Sequence, residues 1–417
     1  MFINHSLNYQ LSLMASFIFH ILSLILFHLF LASSARTPTR REQTGIRATL
    51  TLVDSGQTLP KYTSTNPLTN DPSASLVKSP LKASRDVYSM NLAIGTPPVS
   101  FSAMMDTGSD LIWTKCKTRG SGSARSFDPS ESKTFSQVDK SCTELKLDGC
   151  NQNYADGNSV SVSLGQETLK VGDENFKNVT FACGTPDKDI PYDGILGMGR
   201  GDLSLVSQLK ESVFLYCLGS RFEPKTSSVL LTGSKATSQN INTQTTPLLK
   251  QDGKSYYYVS LEGISVGKTK LAVTKSDFAI SSYDGSGGMI IDSGTTFTYL
   301  EKGIVNMISD EFIKQTKLVK HGNHNPYMGL EHCFKPPGNV HVPNVVFHFE
   351  GADWVLQRQN YIYEKNGKNV ACLAFIANNE DYDHVSIFGN MNQQNMMVVY
   401  DLDNNNLSFK PADCKNL

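Results

Sequence analysis

A chain of 417 residues is longer than one ordinary domain and fits two lobes with a removable leader. Its 38 basic and 39 acidic residues nearly balance, which excludes the basic footprint of a nucleic-acid binder. Abundant Ser, Thr, Asn and Gly suit β-structure with many turns.

In chain order, the first feature is an apolar run, Leu11–Ala32, followed by Ser33-Ser34-Ala35. Small residues after such a run predict a signal peptide over residues 1–35 and export from the cell. The first ten residues hold no Lys or Arg, and the run is long enough to span a bilayer. An uncleaved anchor, and with it membrane attachment, is therefore the alternative. Residues 36–85 carry eight basic and three acidic residues, whereas the remainder is net acidic. A basic leader on an acidic body suits a propeptide whose attraction is lost when acid protonates the carboxylates. A disordered linker has the same composition.

Tyr88–Ile94 alternates as a strand, and Gly95-Thr96-Pro97-Pro98 turns it into a second, Phe101–Met105. That strand runs into Asp106-Thr107-Gly108-Ser109, and Met289–Ile291 later runs into Asp292-Ser293-Gly294-Thr295. Taken alone, either tetrad reads as a surface turn in which Asp caps its own backbone and Gly supplies a positive φ. Their repetition says more. Gly194-Ile195-Leu196-Gly197 follows the first tetrad and Ser386-Ile387-Phe388-Gly389 the second, so the same order occurs in each half, as in a duplicated lobe. Two strand-end carboxyls brought face to face cannot both ionise. They share a proton, one acting as base and the other as acid, which equips them to activate a water against an amide. The Thr107 hydroxyl suits a brace between the two turns; Ser109, Ser293 and Thr295 are placed to donate to the carboxylates.

Between the tetrads, Asn153–Asn158 contains an Asp-Gly hairpin signal, and Leu203–Lys210 has a short amphipathic helical pattern. The chain turns Ser/Thr/Gln-rich near Ser220, and the boundary between lobes is placed there, giving 86–220 and 221–417. Tyr256–Val266 reads as strand, Gly turn and strand, and Lys302–Gln315 as a helix with Ile304, Ile308 and Phe312 on one face. His321, His324 and His332 lack the spacing of a metal cluster and read as loop residues. Asn178-Val179-Thr180 and Asn406-Leu407-Ser408 are glycosylation sequons. Eight cysteines on an exported chain predict disulfides, with connectivity left open by counting alone.

On the phrases NLAIGTPPVSFSAMMDTGSDLIWTKC, DGILGMGRGDLSLVSQL, YYYVSLEGISVGKTKL, GGMIIDSGTTFTYL and SIFGNMNQQNMMVVYDLDNNNLSF, the chain resembles the pepsin-like aspartic peptidases, in particular their plant nepenthesin-like branch. The resemblance runs from about Tyr88 to Cys414. It implies an all-β, bilobal acid-protease fold with a few short helices, two β-barrel-like lobes and a cleft between them. It implies Asp106 and Asp292 as the catalytic pair, supported by Thr107, Gly108, Ser109, Ser293, Gly294 and Thr295. Tyr154 would be the tyrosine of a hairpin flap, its hydroxyl directed at the Trp113 indole. The family more often has Gly at Ala155 and Ser at Asn158.

The resemblance also implies Cys217–Cys414, Cys333–Cys372 and Cys142–Cys150; parity then pairs Cys116 with Cys183. The activity it implies is that of a secreted, monomeric acid endopeptidase acting on extended peptides, without metal or cofactor, in apoplast, cell wall or vacuole. The rival implication is a binding or inhibitor protein on the same fold.

Overall fold

The computed structural model describes residues 45–53, 87–117, 126–138, 150–154, 158–187, 192–222, 228–237, 239, 242–320, 329–364, 369–378 and 384–417. The expected signal peptide, most of the 36–85 leader, the hairpin tip 155–157, Cys142, His321 and His324 lie outside these residues.

Strands dominate, and each half is built around one strand that delivers an Asp. In the first half Val87–Ile94 folds back antiparallel on Val99–Asp106. The latter then runs parallel to Gly194–Gly197, with Asp106 beside Gly197. The second half repeats this: Met289–Ile291 runs parallel to Ser386–Phe388, with Ile291 beside Phe388. The repeated order of Asp turn and apolar-apolar-Gly phrase is thus a repeated parallel pairing. Such a strand is covered on both faces, which explains why MMD and MIID lack the alternation of a half-exposed strand. Met105, Ile195, Leu196, Met289 and Phe388 are all fully buried.

Around each Asp-bearing strand, a second parallel contact closes the lobe. Trp113–Lys115 lies along Glu174–Pro186, and Thr298–Leu300 along Phe375–Ala377. The long hairpin Ser159–Val171 with Glu174–Pro186 supports the short strand Asn151–Asn153, where Asn153 opposes Ser159 at the base of the expected hairpin.

One sheet runs through both halves. Val213–Cys217 pairs with Ser228–Thr232 on one side and with Met396–Asp401 on the other. Met396–Asp401 continues into Asn406–Pro411 and Gln244–Leu249. Alternation sorts its side chains: Phe214, Tyr216, Val398 and Tyr400 turn to the main core, whereas Leu215, Cys217, Met397 and Val399 form a separate cluster with Cys414. The expected boundary at 220/221 falls between two paired strands of this sheet. Arg47–Val53, inside the leader, is also a member, bridging Ser228–Thr232 and Val87–Ile94. Its alternation is strict, with Ile46, Ala48 and Leu50 buried and Arg47, Thr49 and Thr51 exposed.

The helix Lys302–Thr316 packs Ile304, Val305, Ile308 and Phe312 inward, with the Phe312 ring 5.3 Å from that of Phe334. Burying each such side chain contributes about 1.5–3 kcal/mol, well above the helix propensity of its exposed face. The expected helix over Leu203–Lys210 contracts to Leu205–Gln208, started by the Ser204 side chain accepting from Ser207 N.

Candidate active site

Both Asp turns lie at buried strand ends and meet across the two halves. Asp106 Oδ1 accepts from Gly108 N at 2.9 Å, and its Oδ2 accepts from the Ser109 hydroxyl. Asp292 repeats the pattern, accepting from Gly294 N at 2.8 Å and from Thr295 Oγ1 at 2.6 Å. The turns are braced reciprocally. Ser293 N donates to Thr107 Oγ1 at 2.9 Å, Thr107 N to Ser293 Oγ at 3.1 Å, and Ser293 Oγ to Met105 O at 3.0 Å. Ser293 is therefore a partner of Thr107 in the brace, while Thr295 supplies the carboxylate donor.

The tetrad glycines are required for room. A Cβ on Gly294 would lie 2.2 Å from Asp106 Oδ1, and one on Gly108 would lie 2.8 Å from Asp292 Cγ. Neither glycine has a positive φ, so the surface-turn reading of the tetrads is corrected: close approach of the opposite carboxyl, rather than left-handed backbone, explains both.

Burial is the main cause pushing the Asp106 carboxyl well above its ordinary range, followed by the charge of Asp292. Donation from Ser109 and Gly108 opposes the rise, and a hydrogen bond shared with Asp292 adds to it. Asp106 thus keeps its proton over part of the pH range in which isolated carboxyls have lost theirs.

In the first half, Trp113 Nε1 donates to Tyr154 Oη at 2.7 Å. Trp113 is fully buried, with Tyr154 half-buried above it, and Gly184 leaves room for the indole. Bridges join Cys116 to Cys183, Cys217 to Cys414 and Cys333 to Cys372. Cys150 is disulfide-bonded as well, its expected partner Cys142 lying outside the described residues. Asn178 is exposed, whereas Asn406 is half-buried in a paired strand.

Several supporting residues went unread in the sequence. Asn390 Nδ2 donates to Ser293 O at 3.0 Å, and Gln393 Nε2 to Asp292 O at 3.0 Å. Tyr216 and Tyr400, fully buried beneath the turns, sit 3.0 Å apart through their hydroxyls. The available signal was the polar run Asn390–Gln394 between two apolar strands. Four amides there are almost completely buried, a placement that requires backbone partners.

A Ser-His-Asp contact lies elsewhere. Ser265 Oγ is 2.7 Å from His348 Nε2, and His348 Nδ1 is 2.7 Å from Asp353 Oδ1. These side chains stand on three neighbouring strands, Leu261–Val266, Val345–Phe349 and Ala352–Leu356. No group of three or more metal-ligating side chains occurs among the described residues.

Two repeated lobes, each ending a buried strand in an Asp turn and braced on the other, define the bilobal pepsin-like class of aspartic proteinase folds. Residues 88–234 match the family described as Xylanase inhibitor N-terminal, and residues 256–411 match Xylanase inhibitor C-terminal. The chain is 37% identical to Aspartic proteinase nepenthesin-1 of Nepenthes gracilis, over 94% of this chain and 98% of that protein. It is 36% identical to nepenthesin-2 of the same plant, over 90% and 91%. The solved Basic 7S globulin from soybean shares the fold at a TM-score of 0.63 and 17% identity, over 89% of this chain and 98% of that one. The chain belongs to the plant nepenthesin-like family of aspartic proteinases.

Proposed function

We propose that this chain is a secreted acid endopeptidase that cleaves extended peptides with a water held between Asp106 and Asp292. The observation that carries this reading is the pairing itself: two buried carboxyls, each with its own hydroxyl and amide donors, pressed against the opposite turn. One carboxylate takes the proton of the water while the other protonates the amide carbonyl, giving a tetrahedral diol with no acyl-enzyme. The roles then alternate as the leaving nitrogen is protonated. The reaction as drawn needs only water and the two carboxyls.

The peptide lies across the cleft, hydrogen-bonded as a strand to the hairpin that begins at Tyr154. One chain supplies both halves of the site, so a monomer suffices. The apolar start and basic 36–85 segment support entry to the secretory pathway as a precursor, destined for apoplast, cell wall or vacuole. Arg47–Val53 anchors that segment in the central sheet.

The second reading is a binding protein, favoured by the family descriptions, which name xylanase inhibitors. Complete tetrads with all four supporting hydroxyls favour the enzyme. The test is cleavage of a denatured protein at pH 3–5 by the purified chain, with and without a transition-state peptide analogue. Cleavage blocked by the analogue supports the endopeptidase. A folded protein that stays inert after leader removal is the binding protein instead.

A further inference from the structure

Beneath the two Asp turns lies a run of buried polar groups whose donor directions can be assigned by counting hydrogens. Gln393 presents one end of its amide to two backbone carbonyls, Asp292 O at 3.0 Å and Phe388 O at 2.7 Å. That end must be the NH₂, which leaves Oε1 to accept, and Tyr216 Oη donates to it at 2.5 Å. A hydroxyl has one hydrogen, so Tyr216 has none left for its 3.0 Å contact with Tyr400, and Tyr400 is the donor there. Thr107 Oγ1 accepts from Ser293 N at 2.9 Å.

Asp292 O and Ser293 N belong to one peptide bond, so the run Tyr400, Tyr216 and Gln393 ends on the same unit whose N–H donates to Thr107. Both hydroxyls in the run donate in the same sense, towards Gln393. Thr107, Tyr216, Ser293, Gln393 and Tyr400 are all fully buried, so water cannot substitute for a missing member. Such a run polarises cooperatively, and breaking it leaves buried groups unpaired.

We propose that Tyr400, Tyr216 and Gln393 are positioning residues for the aspartate pair, fixing the plane of the Asp292–Ser293 peptide and, through Thr107, the register of one Asp turn against the other. The inference rests on the endopeptidase reading above. None of the three touches the carboxyls; they act through the turns that carry them. With the run broken, the Asp292–Ser293 peptide loses its hold on Gln393, and its N–H contact with Thr107 loosens. The turns then drift apart, the carboxyls repel each other less, and the upper of their two apparent pKa values falls.

The test compares wild type, Tyr400→Phe and Tyr257→Phe. The Phe at 400 keeps the ring stack on Phe214, centroids 4.4 Å apart, and loses only the hydroxyl. Tyr257 is an equally buried tyrosine outside the run, its hydroxyl donating to Met198 O at 2.8 Å, so it reports the cost of losing any buried phenol bond. The expected result for Tyr400→Phe is a kcat about 10-fold lower, KM unchanged within about 2-fold, and an alkaline limb of the kcat/KM profile moved to lower pH. Tyr257→Phe should lose thermal stability while retaining wild-type kcat and pH profile. An active wild type whose profile Tyr400→Phe reproduces overturns the proposal. If wild type itself does not cleave, the endopeptidase reading has failed separately, and the positioning role is judged on thermal stability against pH. There a Tyr400→Phe curve displaced from wild type, with Tyr257→Phe parallel to it, supports the role; two parallel curves refute it.

Discussion

Gly294 faces the Asp106 carboxyl so closely that a Cβ on it would lie 2.2 Å from Oδ1 and 2.7 Å from Cγ. Its backbone φ is ordinary, so alanine there meets only the carboxylate. Gly294→Ala is expected to push Asp106 off its Gly108 and Ser109 donors and lower kcat/KM about 100-fold or more. The folded state should persist by circular dichroism. Wild-type kcat/KM in the variant would show that the carboxyl has room to give.

The raised pKa of Asp106 has a defined sign in stability. Between the unfolded carboxyl value of about 4 and its higher folded value, the native state binds more protons than the unfolded state. Its penalty is absent at acid pH and grows as pH rises through the folded value. Thermal unfolding across pH 4–8 should show Asp106→Asn gaining stability over wild type as pH rises. Two carboxyls away from the site, one exposed and one half-buried, act oppositely: hydroxyl and backbone donors at Ser281 and Ser286 hold Asp284 at about 2, and Gln315, Lys314 and Thr269 hold Glu311 at about 2. Their stabilisation is present above about pH 4 and lost as pH falls towards about 2. A difference between Asp106→Asn and wild type that is constant across pH 4–8 would contradict the assignment.

Cys116 and Cys183 close a loop with a sequence separation of 67 that contains Tyr154 and the long hairpin. Replacing both with Ser should cost about 2–4 kcal/mol in urea unfolding, mainly by freeing the unfolded chain. A midpoint equal to wild type would show that the unfolded chain is not restrained by this bridge.

Tyr154 Oη is the acceptor for the buried Trp113 indole. Tyr154→Phe removes it at a cost of about 1–3 kcal/mol and should lower kcat/KM about 10-fold as the hairpin loses its rest position. Steady-state kinetics on a short peptide measure this; an unaltered kcat/KM would remove Tyr154 from the substrate-binding hairpin.

Much of this architecture was legible because two local patterns repeat. The doubled Asp turn and doubled apolar-apolar-Gly phrase carry the parallel pairings at Asp106–Gly197 and Ile291–Phe388. Helix Lys302–Thr316 was visible because its apolar residues recur at a 3.6 period. The Tyr400–Tyr216–Gln393 run was hidden: its two tyrosines are far apart in sequence, and an isolated Tyr in a strand looks like any core aromatic. The brace role of Ser293 was also out of reach, since a hydroxyl next to Asp292 can serve its own turn or the opposite one, and only the meeting of the turns decides. That GIRATLTLVDSG holds a strand follows from its resemblance to the first strand of the family's prosegments, but its partners, Ser228–Thr232 and Val87–Ile94, depend on long-range pairing that local pattern does not encode.

The most direct test of the shared proton is the kcat/KM profile of the purified enzyme from pH 2 to 8 on one peptide, beside Asp106→Asn and Asp292→Asn. A bell in the acid range is expected, rising as the first carboxyl ionises and falling as the pair loses its last proton, with both variants inactive throughout. A rate unchanged from acid to neutral pH, or cleavage retained by either variant, would contradict a two-carboxyl mechanism.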